Sequence, residues 1–289
     1  MSADIGGDNA VTITPLSGAI GAEVGGIENV ADMSEREFAQ VRDALMGHAV
    51  LVFRDQRLTP DQQKDFSRRF GALMPVPFVK TLDEHPEIIG VIKEADERTH
   101  SVFGGGWHSD FSFLERPPLA SCLYALDVPA VGGDTLFAST RGALEGLSDG
   151  LRAMLDGLKV LHSGKRSYGT RGRFSRDQLA SMPVEPSAEG DVEVPHPLIR
   201  TLPESGAKCL FVNPAYTVRV DGWSEEESAP LLKHLYARIA RPENTCRVSW
   251  SVGTLVIWDN RAALHAAVND YDGFRREMHR TTISGERPI

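Results

Sequence analysis

The stretch 254-TLVIWDNRAALHAAVNDYDGFRREMHRTTIS-284 carries most of what can be read about the fold. It opens with the apolar run 254-TLVIW-258, of strand length, passes through a Trp-Asp-Asn turn to His265, and closes on a second strand over 277–284. Side chains alternate faces along a strand, so Arg276, Met278 and Arg280 share one face, with the two guanidinium groups about 13 Å of strand apart. Two inward arginines imply two anions, because a guanidinium fork matches a carboxylate through parallel hydrogen bonds; the competing reading is that both pair with acidic side chains of this acidic chain.

Working outward, further strands are expected at 49-AVLVF-53, 87-EIIGVI-92 and 246-CRVSW-250. Two helices carry start signals: Ser34 with Glu37 ahead of Phe38, Val41 and Leu45, and Thr59-Pro60 with Gln62 ahead of Phe66 and Phe70. Helical periodicity also covers 147–161 and 224–240. The fold class expected is mainly β with flanking helices. No internal repeat or change of composition marks a boundary, so one domain over 1–289 is expected. Within it, about 163–190 stands apart: 164-GKRSYGTRGRFSRDQ-178 is basic and glycine-rich, and 181-SMPVEPSAEGDVEVPHP-197 is proline-rich. A long irregular connection of this kind is often a lid or binding loop, and an active-site loop insertion is expected there.

Of the 289 residues, 41% are hydrophobic, enough for a sizeable core. With 31 basic against 40 acidic residues the net charge is −9, which argues against nucleic acid or an anionic membrane as partner. Cys122, Cys209 and Cys246 have neither disulfide-framework nor CxxC spacing. The start shows no basic region followed by an apolar run, and no long apolar span occurs. A soluble, cytoplasmic protein is expected.

The second informative stretch is 104-GGGWHSDFSFLERPP-118. In an extended segment His108 and Asp110 point the same way and can share an ion, although a His-x-Asp pair also occurs in ordinary polar turns. His265 is the best-placed third ligand. Two histidines and a carboxylate suit one face of octahedral Fe(II), leaving three positions open. The same trio suits catalytic zinc.

With these residues assembled, the sequence resembles the taurine dioxygenase (TauD/TfdA) family of Fe(II)- and 2-oxoglutarate-dependent dioxygenases, which includes alkylsulfatases and phenoxyalkanoate-herbicide dioxygenases. The resemblance runs from 12-TITPLSGAIGAEVGGI-27 and 51-LVFRDQRLTPDQQKDFSRRFG-71 through 107-WHSDFSF-113, 132-GGDTLF-137 and 211-FVNPAYTVR-219 to 258-WDNRAALHAAVNDY-271 and 275-RREMHR-280. It implies a double-stranded β-helix, the cupin-like jelly roll. It also places the iron ligands on His108, Asp110 and His265, the far carboxylate of 2-oxoglutarate on Thr135 and Arg276, and the substrate's acidic group on Arg280. Pocket aromatics fall on Tyr168 and Tyr216, with tyrosine in place of phenylalanine.

The departures concern the substrate. Val76, Val79 and Gly104 stand where taurine dioxygenase has a histidine, a tyrosine and an asparagine that contact taurine. The context of 76-VPFVK-80 looks closer to the phenoxypropionate dioxygenases, with Val76, Phe78 and Val79 supplying apolar area beside a carboxylate. What the resemblance implies is hydroxylation of a small anionic organic substrate by Fe(II), 2-oxoglutarate and O2, with release of succinate and CO2 and with C–O or C–S cleavage where the hydroxylated carbon bears such a group. An aryloxyalkanoate-like acid is favoured over an alkyl sulfate or sulfonate, and a homo-oligomer, dimer or tetramer, is implied. Competing classes are a zinc-dependent hydrolase and a non-catalytic small-acid-binding protein.

Overall fold

Helix starts in this chain are set by side chains that take up free backbone N–H groups. A computed structural model describes residues 10–98, 102–175 and 181–289. In it Ser34 and Thr59 each form a reciprocal capping box, with Glu37 and Gln62, and open the helices Glu35–His48 and Pro60–Arg68. Ser224 and Glu227 do the same for Glu225–Ile239. The periodicity over 147–161 is only half realised. The helix there spans Asp149–Leu155, Gly157 turns the backbone at φ +80°, and Lys159–His162 continues as a strand with Val160, Leu161 and His162 buried. Its strand partners, Thr217–Val220 and Val194–Pro197, lie far away in sequence, so tertiary pairing overrides the local helical pattern.

A seven-stranded sheet runs in the order Thr12–Pro15, Ala22–Gly25, Val50–Phe53, Leu255–Asp259, Ala120–Asp127, Arg276–Ile283, Ile88–Lys93. Its pairings are antiparallel except that between Ala22–Gly25 and Val50–Phe53. A smaller sheet, Thr245–Val248, Thr135–Ser139, Ala263–Ala267, packs against its inner face. Val52, Leu123, Val256, Trp258 and Met278 from the large sheet meet Phe137, Val248 and Ala263 from the small one. On the outer face Leu51, Phe53, Leu255 and Ile257 pack under Phe38, Val41, Leu45 and Phe66 of the first two helices. Burial on both faces explains why 50–53 and 255–258 read as unbroken apolar runs rather than alternating ones. Each such fully buried side chain contributes about 1.5–3 kcal/mol. The two facing sheets form the jelly roll, and its inner space holds the residues singled out above.

Candidate active site

The loop carrying His108 joins the small sheet through one antiparallel bridge. His108 N donates to His265 O at 3.0 Å and His265 N to His108 O at 2.8 Å, which sets the two rings 4.1 Å apart between centroids. Trp258 and Phe137 flank the His265 ring at 4.7 and 6.0 Å. Asp110 Oδ1 lies 3.6 Å from His108 Nε2 and 3.9 Å from His265 Nε2, and one donor atom from each of the three lies within 4.8 Å of the others. Gly106 O can only accept, so its 2.7 Å contact with His108 Nδ1 places a proton there and turns Nε2 toward Asp110. Burial and the neighbouring His108 push His265 down to about 3, so that ring is neutral near pH 7. Burial pushes the Asp110 carboxyl up, but Arg280, His265 and His108 together hold it well below the usual range. A buried carboxylate with two imidazole Nε2 atoms close beside it is a donor set that can hold a divalent cation.

Arg276, Met278 and Arg280 are all buried and on one face, as the alternation requires. Arg276 and Arg280 line one cavity with His108, His265 and Thr135. Arg276 keeps Nε and Nη2 buried and without hydrogen-bond partners, and its guanidinium sits 5.8 Å from the Trp250 ring centroid. Burial pushes its pKa down, with only partial relief from Tyr271 and Asp134. An uncompensated buried cation is costly unless an anion joins it. Thr135 is arranged to help, since its oxygen accepts from Trp250 Nε1 at 3.1 Å and its own proton remains to be donated. Arg280 differs: Nη1 donates to Asp110 Oδ1 at 3.0 Å, while Nε and Nη2 have no partner.

Gly104 lines the same cavity with φ +75°, and a Cβ there would stand 3.3 Å from His108 Cε1. Close packing on the ring, not only loss of a contact to a substrate, accounts for the glycine. Val76, Phe78, Val79, Tyr168 and Tyr216 gather in an adjoining apolar cluster with Phe111 and Phe113. Phe78 lies 5.2 Å from Tyr168, and Tyr216 meets the His108 ring edge-on at 6.2 Å. The 163–190 segment contributes Tyr168, Phe174, Met182 and Val184 to this cluster, and Val79 pairs with Val184 in an isolated bridge. Residues 176–180 of that segment lie outside the described residues.

The family model for the taurine catabolism dioxygenase TauD, TfdA family matches residues 12–282. The chain belongs to the TauD/TfdA family. It is 34% identical over 273 residues to the alkylsulfatase of Acinetobacter baylyi, covering 94% of this chain and 84% of that one. It is 35% identical over 287 residues to the alpha-ketoglutarate-dependent 2,4-dichlorophenoxyacetate dioxygenase of Burkholderia sp., covering 91% and 92%. The crystal structure of a taurine dioxygenase from Burkholderia xenovorans superposes with a TM-score of 0.81 at 33% identity, covering 96% of this chain and 92% of that one. This TauD/TfdA chain is thus an Fe(II)- and 2-oxoglutarate-dependent oxidoreductase that consumes O2, and the zinc-hydrolase and binding-protein alternatives fall away.

Sequence reasoning missed several residues of this TauD/TfdA site. Ser121 Oγ donates to Asp110 Oδ2 at 2.7 Å, and the Asn260 side chain reaches Trp258 Nε1, Asp110 N and Ser121 Oγ. Asn260 stood in the Trp-Asp-Asn turn, the one signal on offer; Ser121 shows only as a hydroxyl inside an apolar strand. Among the described residues no helix is long and apolar enough to cross a membrane.

Proposed function

We propose that this dioxygenase hydroxylates a small organic acid with an apolar, aryl-sized body, with an aryloxyalkanoate-like acid favoured. His108, Asp110 and His265 hold Fe(II), and Thr135 with Arg276 binds the far carboxylate of 2-oxoglutarate. Arg280 takes the substrate's anionic group. Bound there, iron with 2-oxoglutarate and O2 supplies the oxidation that yields succinate, CO2 and a hydroxylated substrate carbon.

The observation that carries this reading is the state of Arg280. Its Nε and Nη2 are buried without partners, beside the candidate metal ligands and 5.4–5.6 Å from the rings of Phe111 and Phe103. A guanidinium so placed binds an anion while aromatic side chains receive an apolar group. The cluster of Val76, Phe78, Val79, Tyr168 and Tyr216 supports an aryl or alkyl body over the small polar chain of taurine. Tyr168 and Phe174 of the 163–190 segment pack in this cluster, and in this reading they help to keep water from the reacting carbon. Where that carbon bears an ether or ester oxygen, the hydroxylated product releases the leaving group unaided.

An alkyl sulfate is the second reading, favoured by the likeness to the Acinetobacter baylyi alkylsulfatase. The test is a panel of aryloxyalkanoates, alkyl sulfates and sulfonates scored by substrate-stimulated succinate formation. Stimulation by aryloxyalkanoates ahead of the others is expected; stimulation by sulfonates alone would overturn the order.

A further inference from the structure

The two oxygens of Asp110 have different surroundings. Oδ1 faces both histidine Nε2 atoms and Arg280, whereas Oδ2 accepts from Ser121 Oγ at 2.7 Å. A hydroxyl carries one proton. With that proton on Asp110, the Ser121 oxygen can only accept from its other neighbour, and Asn260 Nδ2 donates to it at 3.0 Å. This decides which way the Asn260 amide is turned. Its Oδ1 then receives Trp258 Nε1 at 2.9 Å and Asp110 N at 3.2 Å, both of which can only donate. The donor chain therefore runs one way, from Asn260 to Ser121 to Asp110, through residues that are all at most 2% exposed.

The mounting of Asn260 is rigid. Its backbone N–H goes to Leu119 O at 2.9 Å, and its carbonyl accepts from Ser109 Oγ at 2.6 Å. On either side, Asp259 and Arg261 form a buried ion pair at 2.9 Å, and Arg261 also bonds Glu204 at 2.9 Å. The turn between the two sheets is thus held from behind while its amide reaches forward to the ligand segment.

We infer that Asn260 and Ser121 are positioning residues that keep Asp110 a one-oxygen ligand. With Oδ2 committed to Ser121, only Oδ1 would be offered to a cation, so the trio would supply three donor atoms and leave room beside them for co-substrates. A carboxylate released from this bond can offer both oxygens and occupy a fourth position, at the expense of the co-substrate. The inference rests on the metal-site reading proposed above.

Ser121→Ala removes the bond to Oδ2. Asn260→Asp, nearly equal in volume, places an acceptor against Ser121 and draws its proton away from Asp110. Ser121→Thr retains the hydroxyl. Mn(II) affinity is measured by electron paramagnetic resonance, and 2-oxoglutarate affinity of the Mn(II)-loaded protein by calorimetry, without turnover. Expected is Mn(II) affinity within about threefold of the parent in Ser121→Ala and Asn260→Asp, because the second carboxylate oxygen replaces what positioning loses. Binding of 2-oxoglutarate should weaken about tenfold or more in both, and recover in Ser121→Thr. Unchanged 2-oxoglutarate affinity in Ser121→Ala, loss of Mn(II) binding there, or equal weakening in Ser121→Ala and Ser121→Thr would overturn the one-oxygen lock. Failure of the parent to bind Mn(II), or an Asp110→Ala protein that binds it like the parent, would instead sink the metal-site reading.

Discussion

Arg280 Nη1 lies 3.0 Å from Asp110 Oδ1, so the cation assigned to a substrate anion is also the partner of a candidate metal ligand. Both side chains are buried, and the cation helps to hold the Asp110 carboxyl ionised against its burial. The pairing leaves two guanidinium nitrogens, Nε and Nη2, for a ligand. In the proposed assignment, substrate and metal subsites share this one ion pair.

Arg280→Gln separates these duties. The substrate KM should rise at least about tenfold, the worth of a charge-assisted hydrogen bond, while basal conversion of 2-oxoglutarate to succinate persists. Without the cation the Asp110 pKa rises, protons compete with the metal at higher pH, and the midpoint of Mn(II) loss on acidification moves upward. Loss of basal decarboxylation together with substrate affinity would mean one anion subsite rather than two.

For Arg276 the measurement is 2-oxoglutarate affinity. Arg276→Gln removes buried charged donors worth about 1.5–3 kcal/mol, a Kd increase on the order of 10- to 100-fold. Thr135→Ala removes one neutral donor worth about 0.5–1.5 kcal/mol, so its Kd should rise by no more than about tenfold. Equal affinities in parent and Arg276→Gln would show that the arginine roles are wrongly assigned.

Asp110→Ala deletes the only carboxylate of the trio. The protein should bind no Mn(II) at concentrations that saturate the parent, and should show no substrate-coupled consumption of 2-oxoglutarate. It also strands Arg280 as a buried, unpaired cation, at a cost of about 3–5 kcal/mol, so its Tm should fall further than that of Asp110→Asn. Retained coupled turnover in Asp110→Ala would contradict the assignment of the trio.

A second effect of pH lies away from this site. His162 and His196 are buried with ring centroids 5.4 Å apart. Burial, then the neighbouring His196, pushes His162 down to about 3. Burial, with Arg200 and Arg287 adding to it, pushes His196 down to about 4. Both folded values lie below the unfolded value of about 6.5, so protons bind the unfolded chain first. The stability these neutral rings permit is complete above about pH 6.5 and is lost as pH falls toward 4. Tm should drop over this window, and less steeply in His196→Gln; identical slopes would exclude the pair as the cause.

Local features were legible from residues alone. Ser34 with Glu37 and Thr59 with Gln62 mark helix starts because a capping box closes within three residues. Arg276 and Arg280 share a face because a strand alternates with period two. The helical pattern of 147–161 is real, but its second half is claimed by strands distant in sequence, Val194–Pro197 and Thr217–Val220.

The sequence by itself determined the donor types, His108, Asp110 and His265, the two inward arginines and, through its likeness to a known family, the jelly roll. Only the tertiary structure decided that His265 stands opposite His108, that Arg280 is paired with Asp110 across 170 residues, and that Asn260 reaches Asp110 across 150. Periodicity reports which face a side chain takes on its own element. Which atom it meets depends on how distant strands are brought into register, and that is set by the packing of Val52, Leu123, Phe137, Trp258 and Met278 between the sheets.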